Sequence, residues 1–227
     1  MKSIPRFIVF CMFLAAFVPF LAAQSGGPQK PMQRLAFKNI EMGIDAMTVL
    51  KNYKPKNGWG QDTPIGSGPY CWVRIPTRTL NIEPKQQDSD TVGSAAATVS
   101  FSFRIENDSD FDSLKNGMRP QLSETTTEVR AAMGRTRLFK IQCSFKRISY
   151  PVIKDALISK FGQAVLTDTI DVKNKMGASF TVERITWRSS GGIVMLQEAG
   201  ETLDRSVLIY TDPDFSPDVA ERNAKDL

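Results

Sequence analysis

Two stretches of this chain alternate apolar and polar residues so regularly that they restrict the fold. One runs from Val99 to Ile105 and the other from Phe139 to Phe145. Successive side chains of a β-strand point to opposite faces, so each stretch predicts a strand with one buried face and one face in water. A sheet made of such strands needs a second layer over its apolar face.

The second stretch leads directly into the clearest helix of the sequence, Tyr150–Gly162. Pro151 suits the first helical turn, where no N–H is needed, and Gly162 suits a left-handed C-terminal cap. The apolar residues recur at helical spacing; they are Val152, Ile153, Ala156, Leu157 and Phe161. We therefore predict an α+β fold in which an antiparallel sheet carries its helices on one face.

The order of the predicted elements indicates one domain, residues 35–211, with two candidate helix-plus-sheet halves. In residues 35–105 a short helix capped by Asp45 precedes the strands, and in residues 126–211 the Tyr150–Gly162 helix does so. Residues 126–133 allow a helix, but their β-branched residues favour a strand. Few residues are identical between the halves, so a duplication is only one of two interpretations.

The first 23 residues are typical of a removable signal peptide. Lys2 and Arg6 form a basic start, and Phe7–Phe20 is an apolar run too short to favour a membrane span. Small residues at 21–23 offer a cleavage site after Ala23, although retention as an anchor is the alternative. Cys11 follows a phenylalanine rather than a small residue, which argues against a lipid anchor.

The remaining ends of the chain differ from the predicted domain in composition. Residues 24–34 are rich in Gly, Pro and Gln and predict a flexible mature N-terminus. Residues 212–227 are mostly polar and predict a surface tail. Together with the signal peptide, these features indicate an exported protein that is periplasmic or extracellular and is not inserted in the membrane after processing.

The composition excludes several classes of function. The chain has no histidine, so it lacks the base of Ser-His-Asp and Cys-His catalysis and the commonest transition-metal ligand. Its formal charge of +5 becomes +3 without Lys2 and Arg6, which is too small and too scattered for a nucleic-acid-binding protein. We expect no metal and no cofactor.

Two cysteines, Cys71 and Cys143, remain after removal of residues 1–23. An even number of cysteines in an exported chain favours a disulfide bond between them. Both lie on apolar alternations, a pattern that fits a buried bridge and fits two buried free thiols equally well. The bridge is our prediction.

Three further features are candidates for function. Trp59 lies in a loop rich in Gly and Pro and is a candidate partner contact. Asp108, Asp110 and Asp112 match the start of a calcium loop, but Ser113 occupies the position of its turn glycine, so a solvated connector is the preferred interpretation. Glu183 and Glu198 are the candidate acids for a carboxylate-dependent hydrolase.

Four phrases of the sequence resemble those of small exported bacterial envelope proteins. They are FKNIEMGIDAMTVLK (Phe37–Lys51), ALISKFGQ (Ala156–Gln163), MGASFTVERITWRSSGG (Met176–Gly192) and LIYTDPDF (Leu208–Phe215). The helix-plus-sheet layout resembles the superfamily of the outer-membrane assembly factor BamE and the β-lactamase inhibitory proteins. This resemblance implies a compact α/β module that works by surface contact in the periplasm, and it implies no catalytic residues.

These features lead to three hypotheses of function. The first is a non-enzymatic protein-binding module in the cell envelope whose partner is an unknown protein. The second is an envelope-associated protein that binds anionic lipid or cell-wall polymer through its modest positive charge. The third is a hydrolase, which needs two carboxyl groups across a cleft, one of them with a raised pKa.

Overall fold

The computed structural model describes residues 35–55, 69–84, 88, 90–119, 125–173, 177–189, 191–200, 202–212 and 214. The predicted signal peptide, the N-terminus 24–34 and most of the tail lie outside these ranges. All described residues fall in one compact unit, Met32–Leu227. No helix in the described ranges is long and apolar enough to cross a membrane.

Nine of the described strands form one antiparallel sheet, and two short strands form a separate hairpin. The strands are β1 (Ala36–Phe37), β2 (Ile40–Glu41), β3 (Tyr70–Arg74), β4 (Thr79–Glu83), β5 (Asp90–Val92), β6 (Ala95–Arg104), β7 (Arg137–Lys146), β8 (Leu166–Lys173), β9 (Ser179–Ser189), β10 (Gly192–Gln197) and β11 (Arg205–Thr211). The order across the sheet is β3-β4-β6-β7-β11-β10-β9-β8, and β5 also pairs with β6. The strands at the two ends of this order are β3 and β8.

The two alternating stretches of the sequence form neighbouring strands at the centre of the sheet. Val99 of β6 lies opposite Cys143 of β7, and Phe101 lies opposite Ile141. All four are buried in the core, as the alternation predicts. A β-bulge follows Ser102, so Leu138 rather than Phe139 lies opposite Phe103. Phe139 is buried, as predicted, but it lies outside the main apolar cluster.

Four α-helices cover one face of the sheet in the described part of the chain. They are α1 (Ala46–Asn52), α2 (Asp108–Gly117), α3 (Thr127–Met133) and α4 (Tyr150–Phe161). Their buried side chains belong to one apolar cluster with the inward side chains of the strands. The predicted α+β fold, an antiparallel sheet with helices on one face, is confirmed.

The α4 helix has the predicted ends but a different buried face. Pro151 lies in its first turn, and Gly162 ends it with φ 80°, a left-handed conformation that favours glycine. The buried residues are Tyr150, Ile153 and Leu157, whereas Val152 is 58% exposed. The apolar stripe is therefore centred about one residue away from the predicted one, because Tyr150 belongs to the helix and faces the core.

Two segments predicted as a connector and a strand are helices instead. The acidic segment that begins at Asp108 forms α2, and residues 127–133 form α3. Thr126 caps α3, since its hydroxyl accepts a hydrogen bond from the N–H of Val129 at 3.3 Å. The β-branched residues of this segment favour a strand locally. The helix forms nevertheless, because the cap stabilises its start and because Val129, Ala132 and Met133 are buried at helical spacing.

The predicted Cys71–Cys143 disulfide is absent, and both residues are buried free thiols. Cys71 lies on β3 and Cys143 on β7, with β4 and β6 between them. Three strand spacings amount to about 14 Å, whereas a disulfide requires Cα atoms about 4.4–6.8 Å apart. The alternation correctly placed both residues inside, but it carried no information about their distance.

The two candidate halves occupy opposite sides of one continuous sheet. Residues 35–105 supply β3, β4, β5 and β6, and residues 126–211 supply β7 to β11. The halves meet where β6 pairs with β7 over most of the length of both strands. A duplication of the two halves stays a prediction.

Candidate functional site

The face of the sheet opposite the helices, which we call the open face, has no helix over it among the described residues. Its side chains are the alternate residues of each strand, between those that enter the core. One row across this face is Ser100, Gln142, Ile209, Met195, Thr186 and Leu166.

One corner of the open face, at the β8 edge, is apolar, and we call it the apolar corner; it consists of Leu166, Ile170, Val172, Phe180 and Val182. Ile170 lies opposite Val182, and Val172 lies opposite Phe180. Leu166 is 50% exposed and Phe180 is 40% exposed, whereas Val182 is buried. Exposed apolar side chains that cluster in this way are typical of contact surfaces.

Trp72 is the exposed aromatic residue at the other edge of the open face. It lies on β3 opposite Asn81 and is 41% exposed. Its polar neighbours satisfy one another, since the Ser102 hydroxyl donates to Asn81 Oδ1 at 2.9 Å. The exposure of Trp72 could be predicted from the sequence. Cys71 and Val73 were assigned to the inward face, so Trp72 between them must point outward.

Three arginines lie in one line across the open face, and we call this line the arginine row. Strand pairing places Arg74 opposite Thr79, Thr79 opposite Arg104, and Arg104 opposite Arg137. Neighbouring strands are about 4.8 Å apart, so the row spans about 14 Å. Arg74 is exposed, and Arg104 and Arg137 are half-buried.

The arginine row has an unusual charge balance. In the described part of the chain, no carboxylate lies within ion-pair distance of its three guanidinium groups. Of the other described arginines of the sheet, Arg184 and Arg205 each have a carboxylate partner, whereas the exposed Arg188 has none. Like charges directly opposite each other on neighbouring strands are destabilising, by up to about 1 kcal/mol. The Arg104–Arg137 pairing therefore costs stability, and the fold does not compensate for it.

The two candidate acids, Glu183 and Glu198, are neighbours on the helix side of the sheet. The backbone N–H of Glu183 donates to Glu198 Oε2 at 3.1 Å. Lys154 Nζ lies 2.8 Å from Glu183 Oε2, and the Tyr150 hydroxyl donates to the same oxygen at 2.7 Å. Arg147 forms an ion pair with Glu198. The two candidate acids are therefore brought together, and the cations beside them were not predicted from the sequence.

The cations beside Glu183 and Glu198 oppose protonation of both carboxyl groups. The hydrogen bond from Lys154 lowers the pKa of Glu183, and the one from Arg147 lowers the pKa of Glu198. Burial and the bond to Glu183 raise the pKa of Tyr150. A glycosidase requires one carboxyl group with a raised pKa that can donate a proton. The pKa values of Glu183 and Glu198 are instead both lowered, and the bonds from Tyr150 and Lys154 to Glu183 connect α4 to β9.

A second polar cluster lies inside the core, around Asp90. Asp90 is 1% exposed and contacts Lys38 Nζ and the Tyr53 hydroxyl. Burial raises the pKa of Tyr53, and the hydrogen bond to Asp90 raises it further. A buried carboxylate needs such partners, because leaving it unpaired would cost several kcal/mol, about 3–5 by comparison with other buried ion pairs. This cluster is fully occupied by its own contacts.

The acidic segment of α2 is helical, and two of its carboxylates form ion pairs with arginines. Asp108 forms an ion pair with Arg78 at 2.5 Å, and Asp110 accepts from Arg135 Nε at 3.0 Å. The bond from Arg135 lowers the pKa of Asp110. No group of three metal-ligating side chains exists in the described ranges. The predicted partner contact, Trp59, lies outside the described residues, so that prediction stays a prediction.

Comparison with known proteins adds no relative. No protein-family model matches the chain, and no curated protein or solved structure matches it. The resemblance to BamE and the β-lactamase inhibitory proteins therefore stays a prediction.

Proposed function

We propose that this chain is an exported, non-enzymatic protein that binds another protein through the open face of its sheet. The observation that carries the proposal is the exposure of Trp72, Leu166 and Phe180 on the face that no described helix covers. Exposed aromatic and aliphatic side chains are the usual anchors of protein interfaces.

The helix side of the molecule supports the same proposal, because its polar and apolar side chains are used in internal contacts. Its largest polar cluster, Glu183 with Glu198, is occupied by Lys154, Tyr150 and Arg147. The helices themselves fill the core with their apolar residues. A structural layer on one side and an uncovered face on the other is the arrangement expected of a binding scaffold.

Export is the second part of the proposal and rests on residues 1–23 alone. A basic start, an apolar run and small residues before Gln24 form the pattern of a removable signal. A protein recovered from the envelope fraction should begin at Gln24 or one residue from it.

The binding test compares exposed apolar residues on the two sides of the molecule. A double variant, Trp72→Ala with Phe180→Ala, should lose capture of its partner from an envelope extract. Ile148→Ala removes a side chain that is 86% exposed beside α4 and should leave capture unchanged. Equal capture by all three proteins, with circular dichroism showing each of them folded, would reject the open face as the contact surface.

The arginine row favours one alternative function, attachment to an anionic lipid or cell-wall polymer. Three guanidinium groups without carboxylate partners on one face attract any polyanion. Binding of that kind weakens steeply with salt. Sedimentation with purified cell wall in low and high salt separates this alternative from a protein partner.

A further inference from the structure

We propose that the arginine row is the specificity site of the open face and that it binds the carboxylates of an acidic segment of the partner protein. This inference rests on the proposed function, since it names the chemistry of the partner that binds the same face.

The first step is that the positive charges of the arginine row have no carboxylate partners among the described residues. Arg104 and Arg137 are directly opposite each other. The nearest carboxylate on the same face of β4 is Glu83, four residues from Thr79 and therefore about 13 Å away along the strand. Burial raises the pKa of Glu83, and no cation counteracts that effect. A bound anion would relieve the repulsion that the fold leaves in place.

The second step is that the geometry fits carboxylates on an extended segment. Guanidinium groups bind carboxylates with two parallel hydrogen bonds, which makes arginine the preferred partner of this group. Carboxylates on alternate residues of an extended segment are about 7 Å apart. The flexible side chains of Arg104 and Arg137, about 5 Å apart at their backbones, can reach two such groups.

The third step separates a protein segment from a membrane surface. Trp72 lies two residues before Arg74 on the same face, so an apolar residue beside the acidic ones would find a contact. A protein segment can supply acidic residues and an apolar residue together, whereas an anionic lipid headgroup surface supplies charge alone.

The fourth step is that the neighbouring polar groups do not compete for the ligand. Thr79 is buried beneath the row and accepts from Asn81 Nδ2 at 3.4 Å, and Ser102 donates to Asn81. These side chains satisfy one another and leave the arginines as the donors of the site. Binding of the ligand is therefore expected to depend on the charge of the arginines and on their bidentate hydrogen bonds.

The test measures binding of a labelled peptide with alternating glutamate and valine by fluorescence anisotropy. The double variant Arg104→Gln with Arg137→Gln should weaken binding about tenfold or more, because each charge-assisted contact contributes strongly. Lys146→Gln, the matched control, removes one positive charge at the other end of β7 and should change affinity less than about twofold. The double variant should also unfold at an equal or higher temperature, since it removes the repulsion.

Two further binding measurements distinguish a protein segment from a lipid headgroup or free phosphate as the source of the anion. Vesicles of equal parts phosphatidylcholine and phosphatidylglycerol, and inorganic phosphate, replace the peptide. Binding of vesicles or phosphate that depends on the row, without peptide binding, would overturn the proposal, as would equal loss in the Lys146→Gln protein. If the peptide does not bind but capture of the partner still depends on Trp72 and Phe180, the acidic-segment inference is rejected and the proposed function stands.

Discussion

At the scale of single residues, the charged groups of this protein differ in whether they have partners. Asp90, Glu183 and Glu198 each have cations or hydroxyl donors arranged around them. Arg104 and Arg137 have each other and no carboxylate among the described residues. Arg184 and Arg205, the other half-buried arginines of the sheet, each have a carboxylate partner, so the uncompensated Arg104–Arg137 pair is consistent with a ligand site.

The free thiols give a prediction at the same scale. Burial raises the pKa of Cys71 to about 12 and also raises that of Cys143, so both should resist alkylation at pH 8. In urea the pKa of each thiol returns toward 9.0 and both should react without prior reduction. Labelling that requires a reductant would show that a disulfide forms after all.

The same raised pKa values fix the sign of the dependence on pH. The unfolded thiols release protons first, near pH 9, and the folded thiols only at higher pH. Their contribution to the free energy of unfolding is therefore complete below pH 9 and falls as the pH rises toward 12.

At the scale of elements, α4 illustrates how packing determines which face of a helix is buried. Leu157 is 5% exposed and Val152 is 58% exposed, although both are apolar and lie on the same helix. The helix contacts β9 through Tyr150 and Lys154, which both bind Glu183. These contacts place Ile153 and Leu157 against the sheet.

This difference predicts unequal costs for similar truncations. Leu157→Ala should lower the free energy of unfolding by about 2–5 kcal/mol, because it leaves a cavity in the core. Val152→Ala should change it by less than about 0.5 kcal/mol, since its side chain is mostly in water. Urea unfolding of the two variants provides the comparison, and equal costs would mean that the helix buries another face.

The sequence predicts elements well where a pattern is local. The alternation of β6 and β7, the Asp45 cap of α1 and the Pro151 start of α4 are each visible within a few residues. For α3 the sequence allows a helix but favours a strand because of its threonines, whereas the helix is stabilised by packing against α2. The Cβ of an alanine at Gly117 would lie 2.5 Å from Val129, which shows how closely the two helices approach.

The candidate site is less predictable than the elements, because it depends on register. Trp72 could be placed on the outer face from its neighbours alone. The arginine row combines Arg74, Arg104 and Arg137, which are distant in sequence and come into line only through three strand pairings. No local pattern of the chain encodes that alignment.

At the scale of the whole molecule, the sheet joins the two candidate halves and creates one surface from both. Arg74 and Arg104 belong to residues 35–105, and Arg137 belongs to residues 126–211, so the arginine row exists only where β6 pairs with β7. The apolar corner lies on the same face at the β8 edge. A partner with an acidic and an apolar part could contact both regions at once.

The most direct test of this account is site-specific photocrosslinking in cells that export the protein. A photoreactive amino acid at Ser100 or Gln142 lies at the centre of the open face, and one at Val152 or Lys160 lies on the outer side of α4. The account predicts adducts with the same partner protein from the first pair of positions and none from the second. Adducts from α4 with none from the open face would contradict it.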